Sequence, residues 1–144
     1  MSDPAKLLSV LVQGRNDSYM GNFKWRLAQV LNRHAENIKL LGLEQEVEIL
    51  VADWGSEIPL LEVLDLTDSA RELTRFLLIP PPIATRFDRD AGYSNVHPIN
   101  SVARRAQGKY VMFSDSDVYI PLASMAQLMF HLRRGRIDDL PLDE

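Results

Sequence analysis

The chain has no cysteine among its 144 residues. Disulfide bonds and thiolate metal ligands are therefore excluded, and any metal ion must be bound by oxygen or imidazole donors. Long hydrophobic runs are also missing, because the longest apolar stretches (residues 7–12 and 76–79) are far shorter than the roughly 20 residues that span a bilayer. We therefore expect no transmembrane segment or signal peptide and a cytoplasmic protein, with peripheral contact to a membrane as the alternative.

An excess of basic residues is missing too. The net charge of −4 argues against a protein that binds nucleic acid through a broad basic surface. Hydrophobic residues make up 46% of the chain and charged residues 25%, a composition that suits a globular domain large enough to bury a core. We expect one domain over residues 1–135, followed over residues 136–144 by an acidic tail or a truncated continuation.

Short apolar runs alternate with helical patterns along the chain. Strands are predicted at residues 7–13, 46–52, 75–79 and 110–113. Helices are predicted at residues 23–41, 59–64 and 100–107, and again from Pro121. Pro80, Pro81 and Pro82 predict a loop that extends to about Asn95. This alternation predicts an α/β domain whose mostly parallel sheet is covered by helices on both faces.

Polar side chains follow the predicted strands at the points where they end. Gln13 and Asn16 follow the first strand, Asp53 follows the second, and Asp115 and Asp117 follow the fourth. In open parallel sheets, ligands bind in the crevice beyond the carboxyl ends of the strands. Residues two apart share a face of a strand, so the two aspartates of the fourth strand can act together. Such charges must be solvated, paired or bound to a cation.

Four segments in order resemble the GT-A fold glycosyltransferases, especially inverting family 2 enzymes that use nucleotide-diphosphate sugars. Asp115-Ser116-Asp117 resembles their DxD motif. The other matching segments are residues 9–16 (SVLVQGRN), residues 51–56 (VADWGS) and residues 100–113 (NSVARRAQGKYVMF). The resemblance covers residues about 7–135 and implies a Rossmann-like GT-A domain that binds the sugar donor.

A divalent cation is the cofactor that the resemblance implies. Transfer of a sugar from a nucleotide diphosphate leaves negative charge on the departing group, which a cation stabilises. Mn²⁺ or Mg²⁺ suits such a site because both ions prefer carboxylate and phosphate oxygens. By the resemblance, Asp117 is a direct metal ligand, and Asp115 binds the metal, a metal-bound water or the ribose.

The resemblance also implies a nucleotide pocket. Asp53 would accept a hydrogen bond from the base, which favours uracil and hence a UDP-sugar donor. Gln13 and Asn16 would line the pocket, and Asn100 and Asp115 complete the implied nucleotide-binding set.

Each assignment has a structural alternative. The paired aspartates could cap the following helix, since aspartate is favoured near the positive end of a helix. Asp53 could be an ordinary turn residue before Gly55, and Asn100 could be an N-cap. His34 lies on the apolar side of a predicted helix and is expected to be a packed core residue.

The chain also departs from the family pattern. Ile99 stands where the family often has an arginine, so the phosphate contact is expected from Arg86, Arg89 or His97. Family members continue into a second half that binds the acceptor and supplies the general base. A base must lie within hydrogen-bond reach of the acceptor hydroxyl. We identify none in this sequence and expect it outside this chain.

Two functions of different classes follow. The first is a glycosyltransferase, or its donor-binding portion, that transfers sugar to an unknown saccharide, lipid or protein acceptor. The second is a noncatalytic nucleotide or nucleotide-sugar binding module that lacks the acceptor half. A nucleotidyltransferase is less favoured because no glycine-rich phosphate loop lies near the amino terminus. Apolar surface left exposed by a missing half could favour a homo-oligomer.

Overall fold

The computed structural model describes residues 4–136, and it confirms the predicted α/β class. Four parallel strands form one sheet in the order β3-β2-β1-β4. The strands are Lys6–Gly14 (β1), Val47–Trp54 (β2), Thr74–Ile79 (β3) and Gly108–Phe113 (β4). All four predicted strands are confirmed. Because the strands are parallel, their carboxyl ends meet at one edge of the sheet.

Helices cover the sheet on both faces, as predicted. They are Phe23–Leu40 (α1), Leu60–Val63 (α2), Asp68–Leu73 (α3), Pro81–Asp88 (α4), Val96–Ala103 (α5) and Leu122–Arg133 (α6), with a 3₁₀ turn at Arg89–Ala91. Side chains of α1, α2, α3 and α6 form the larger core with alternate residues of β1 and β2. On the other face, α5 packs against β1 and β2, and α4 packs against Trp54 and Ile79.

The prediction of a loop from Pro80 to about Asn95 is wrong. Helix α4 occupies Pro81–Asp88, with Pro80 at its N-cap and proline at its first helical positions. The first N–H groups of a helix have no partner within the helix, so proline loses nothing there and its fixed φ suits the helix. The three prolines therefore begin a helix instead of preventing one.

Two further helices differ from the prediction. Helix α5 begins at Val96 and ends at Ala103, so Asn100 lies inside the helix and is not its N-cap. The helix predicted to extend to residue 107 ends at Ala103, and Gly108 is the first residue of β4. Helix α3 was not predicted, and it is capped by the hydroxyl of Thr67, which accepts a hydrogen bond from the Ala70 N–H at 3.2 Å.

The first position of β4 requires glycine for a steric reason. A Cβ atom there would lie 2.6 Å from the backbone nitrogen of Ser9. Close by, the buried carboxylate of Glu48 accepts hydrogen bonds from the Ser9 hydroxyl at 2.6 Å and the Gln107 N–H at 2.7 Å. Arg75 pairs with the other carboxylate oxygen at 2.9 Å. These contacts fix the amino ends of the strands, opposite the edge where a ligand is expected.

Within residues 4–136, no helix combines the length and apolar character needed to cross a bilayer. The predicted acidic tail lies, beyond Arg136, outside the described residues.

Candidate functional site

A cleft of about 500 Å³ lies at the carboxyl edge of the sheet, where β1 and β4 end. Its lining residues come from three segments, residues 13–23, residues 93–99 and residues 113–117. The cleft therefore lies where open parallel sheets bind their ligands. Its volume falls within the range of roughly 300–1,000 Å³ that is usual for small-molecule sites.

Another groove, of about 440 Å³, runs along α1 and α3. Its basic residues are engaged in ion pairs, Lys39 with Glu72 at 3.2 Å and Arg33 with Glu36 at 2.9 Å. It lies along helices and away from the strand ends. We therefore place the candidate site in the cleft at the sheet edge.

The two aspartates of the acidic motif both line the cleft. Asp115 and Asp117 are exposed, and Asp117 Oδ2 accepts a hydrogen bond from Arg26 Nη1 at 3.0 Å. Neither aspartate caps α6, because its N-cap position is Pro121 and no side chain makes a cap hydrogen bond. The helix-capping alternative therefore does not describe these residues.

The loop that carries the motif is attached to β1 and α1. The Ser114 N–H donates to the Leu11 carbonyl at 2.9 Å, and Asn37 Nδ2 donates to the Ile120 carbonyl at 2.7 Å. His34 Nε2 lies 3.3 Å from the Ser114 hydroxyl oxygen. These contacts hold the ends of the loop, so the carboxylates between them are positioned by the core.

His34 is a packed core residue, as expected. It is fully buried, and burial lowers its pKa from 6.5 to about 4. Its Nδ1 atom has no hydrogen-bond partner in the described part of the protein. Protonation would place an unsatisfied charge in the core, which is the physical cause of the lowered pKa.

The acidic residues of the cleft suit one kind of metal site. Among residues 4–136, no group of three or more histidine, aspartate or glutamate side chains could enclose a metal ion. The two carboxylates of the acidic motif, which are open to the cleft, instead fit Mg²⁺ or Mn²⁺, since Mg²⁺ in particular keeps several waters and is completed by substrate phosphates. The residues present therefore fit a cation that binds together with a diphosphate.

Arg15 contributes a positive charge to the cleft lining at the end of β1. Its Nε donates to the Trp54 carbonyl at 3.0 Å, and its Nη2 donates to Asp88 Oδ2 and to the Gly92 carbonyl, each at 3.0 Å. The guanidinium lies 4.8 Å from the centre of the Tyr93 ring. These contacts fix the crossing segment between α4 and α5 over the sheet edge.

Gln13 lies in the cleft, at the position that the sequence predicts. Its Oε1 accepts a hydrogen bond from the Tyr93 hydroxyl at 3.4 Å. Burial raises the pKa of Tyr93, so this hydroxyl stays protonated and acts as a donor. Tyr93 and Asn95 add an aromatic ring and an amide to the lining.

Asp53 lies beneath the loop after β2 and outside the cleft lining. It is 1% exposed. Its carboxylate accepts hydrogen bonds from the Ser56 hydroxyl and from the Leu60 N–H, the latter at 2.7 Å. Burial raises its pKa, while these hydrogen bonds oppose the rise. This geometry matches the turn role, and the burial of the carboxylate leaves it outside the reach of a nucleotide base in the cleft.

Two other predicted residues also lie outside the cleft lining. The Asn16 N–H donates to the Ser56 hydroxyl at 2.8 Å, and Asn16 Nδ2 donates to the Ile58 carbonyl at 2.9 Å. Asn16 therefore joins the loop after β1 to the loop after β2. Asn100 is an exposed residue of α5.

The residues expected to contact phosphate lie away from the cleft lining. Arg86 and Arg89 are exposed on and after α4, and His97 stacks on the buried Trp54 with ring centroids 6.2 Å apart. Trp54 donates its indole N–H to Asp88 at 2.8 Å. Trp54 thus belongs to the core beneath the crossing segment.

Sequence reasoning places Arg15 at this edge of the sheet without a role, and it does not identify Arg26, Tyr93 or Asn95. Arg15 carried a usable signal, because it directly follows a strand that ends at the same edge as the acidic motif. The positions of Tyr93 and Asn95 depend on how the crossing segment folds back, which no local pattern indicates.

Comparisons with known proteins do not assign this chain to a family. A scan against protein-family models finds no match for this chain, and a search of the curated proteins finds none either. The resemblance to GT-A glycosyltransferases therefore depends on the motifs and their positions.

Proposed function

We propose that this chain is the donor-binding part of a glycosyltransferase and that it binds a nucleotide-diphosphate sugar together with Mn²⁺ or Mg²⁺. A UDP-sugar is the donor that the family resemblance implies, although Asp53 lies outside the cleft lining and does not supply the base contact. The observation that supports the proposal best is the placement of Asp115 and Asp117. Both line one cleft at the carboxyl edge of a parallel sheet, and the ends of their loop are fixed to the core. Gln13 and Arg15 lie in the same cleft.

Each side chain has a distinct proposed role. Asp115 and Asp117 bind the cation and orient it toward the diphosphate. When bound, the cation would offset the negative charge on the departing diphosphate. Arg15 lines the cleft with a guanidinium whose charge is offset by its ion pair with Asp88, and Gln13 offers an amide that can exchange hydrogen bonds with the nucleotide.

The acceptor side of the reaction belongs to the same proposal. Transfer needs a general base within hydrogen-bond reach of the acceptor hydroxyl. Following the family resemblance, we propose that the base comes from an acceptor-binding half beyond the described residues. We further propose a cytoplasmic location and a saccharide, lipid or protein acceptor.

A noncatalytic nucleotide-sugar binding module is the second candidate. It is favoured by the outer strand β4, which pairs with β1 on one edge and exposes Val111 (47%) and Phe113 (65%) on one face. Exposed apolar residues of this kind suit a surface that another half or another subunit completes. Both candidates share donor binding, and they differ in whether the completed protein transfers the bound sugar to an acceptor.

A thermal-shift screen of nucleotides and nucleotide sugars with divalent cations tests the shared claim. Ligands that bind the native state raise its melting temperature. We expect UDP and UDP-sugars to raise it with Mn²⁺ or Mg²⁺ and a chelator to remove the effect. A screen in which no nucleotide acts in a cation-dependent way would contradict the proposal. Mass spectrometry of the bound UDP-sugar then tests the noncatalytic candidate, because release of UDP would contradict it.

A further inference from the structure

Arg26 is a positively charged side chain beside the acidic motif, and it has no role in the proposed function so far. It lies in the first turns of α1, and its Nη1 donates to Asp117 Oδ2 at 3.0 Å. Its side chain is 18% exposed, whereas that of Asp117 is 46% exposed. The pair therefore lies at the rim of the cleft, with the arginine on the protein side and the carboxylate toward solvent.

Neighbouring groups hold this guanidinium in place independently of Asp117. Arg26 Nε donates to Asn22 Oδ1 at 2.9 Å, and Nη2 donates to the Tyr19 carbonyl at 3.1 Å. A cation that binds Asp117 would thus leave these contacts intact. Arg26 would stay next to the bound cation instead of moving away into solvent.

The position of Arg26 has opposite consequences for two kinds of ligand. A divalent cation alone must share Asp117 with an existing positive charge, which repels it across a short distance. A cation that arrives with a diphosphate brings negative charge, which the same guanidinium attracts and can bind with its planar fork. Arg26 thus weakens the binding of the bare cation and strengthens the binding of the cation with a diphosphate.

We infer that Arg26 makes cation binding at Asp117 depend on the diphosphate. Arg26 competes with the bare cation for the carboxylate and becomes a contact of the nucleotide diphosphate once both are bound. This inference rests on the proposed donor-binding function and assigns that site a specificity residue. By linkage, the diphosphate and the cation then raise each other's affinity by the same factor.

A purely structural ion pair is the competing explanation. The acidic loop, however, is already fixed by Ser114 to Leu11 and His34, and by Asn37 to Ile120. The Arg26–Asp117 pair is thus not the main attachment of that loop. A structural role would predict that removing Arg26 lowers stability and weakens both ligands in parallel.

Titration calorimetry can separate these explanations with the full chain. Mn²⁺ alone, and UDP in saturating Mn²⁺, are titrated into the wild type, Arg26→Gln, Arg26→Lys and Lys24→Gln. Lys24 is exposed on the same helix, outside the cleft lining, so its variant controls for the change in net charge. Thermal melting of each variant shows that it is folded.

Opposite changes are expected for Arg26→Gln. Mn²⁺ alone should bind about tenfold more tightly and UDP with Mn²⁺ about tenfold more weakly, within the usual range of coupling between bound ligands. Arg26→Lys keeps the charge and should stay closer to the wild type, and Lys24→Gln should match it. Equal or parallel changes of both affinities in Arg26→Gln would overturn the inference.

The outcomes also distinguish this inference from the proposed function. If no protein binds UDP with Mn²⁺, the proposed function fails and the diphosphate role of Arg26 fails with it. If the wild type binds UDP with Mn²⁺ but Arg26→Gln shows unchanged affinities, only the inference about Arg26 is overturned. Should Arg26→Gln not fold, an Arg26→Lys protein that binds Mn²⁺ alone and UDP with Mn²⁺ more weakly by the same factor would overturn it, because a structural role predicts that parallel loss.

Discussion

His34 Nε2 lies 3.3 Å from the hydroxyl oxygen of Ser114. This contact joins the buried face of α1 to the loop of the acidic motif. The Ser114 hydroxyl is also 3.3 Å from the carbonyl oxygen of Asp115. It can therefore donate to that carbonyl while it accepts from an N–H at His34 Nε2. The neutral tautomer with its proton on Nε2 supplies this N–H and leaves Nδ1, which has no partner in the described part of the protein, unprotonated.

The first prediction concerns the pH dependence of stability. The pKa of His34 is lowered to about 4 by burial, while in the unfolded chain it has its ordinary value of 6.5. Between these values the unfolded state binds a proton that the folded state does not, so stability falls as the pH falls. At about 1.4 kcal/mol per pH unit, the loss from this residue is on the order of 3 kcal/mol.

Urea unfolding from pH 7 to pH 4 measures this effect. His34→Gln retains an N–H donor without the titrating ring and should lose that part of the pH dependence. His97→Gln, at an exposed position, should retain the wild-type slope. Identical slopes in the wild type and His34→Gln would show that His34 is not the source.

The second prediction concerns Asp53. Replacement by alanine leaves the buried Leu60 N–H and the Ser56 hydroxyl without their acceptor. We expect a loss of about 2 kcal/mol or more in the free energy of unfolding, as for other buried groups left unsatisfied. Asp53→Asn keeps an acceptor oxygen and should cost less. Chemical denaturation gives both values, and an alanine variant as stable as the wild type would exclude the turn role.

The third prediction concerns the start of β4. In Gly108→Ala, the new methyl group would lie 2.6 Å from the Ser9 nitrogen and 2.6 Å from the Tyr110 oxygen, which are backbone atoms. We expect a loss of roughly 1–3 kcal/mol, the usual cost of overpacking. Gln107→Ala is the matched control, because its exposed side chain is lost while its N–H to Glu48 is kept. A Gly108→Ala protein with unchanged stability would contradict this steric argument.

The sheet could be predicted from the sequence because each strand is a short, mainly apolar run, and β1 and β2 are buried along most of their length. The helix at Pro81–Asp88 could not, since three prolines are compatible both with a loop and with a first helical turn. The start of α5 was misplaced because Val96 follows a turn whose shape depends on Asp88. That carboxylate accepts from the Ser94 N–H at 2.8 Å, a contact set by the tertiary structure.

The acidic half of the candidate site could be predicted, because Asp115 and Asp117 follow directly from where β4 ends. Asp53 also follows a strand, yet its side chain turns beneath the loop to Ser56 and Leu60. Strand position fixes the edge of the sheet where a residue lies. It does not decide whether the side chain points to the cleft or satisfies its own loop.

Titration calorimetry of UDP in the presence and absence of Mn²⁺ tests the central claim most directly. Asp115→Asn and Asp117→Asn are compared with Asp65→Asn, which changes an exposed aspartate outside the cleft lining. We predict that the wild type and Asp65→Asn bind UDP only with Mn²⁺, and that Asp117→Asn binds at least about tenfold more weakly, the effect of losing a metal ligand. Equal UDP affinity with Mn²⁺ and with a chelator, or an unchanged affinity in both cleft variants, would contradict the account.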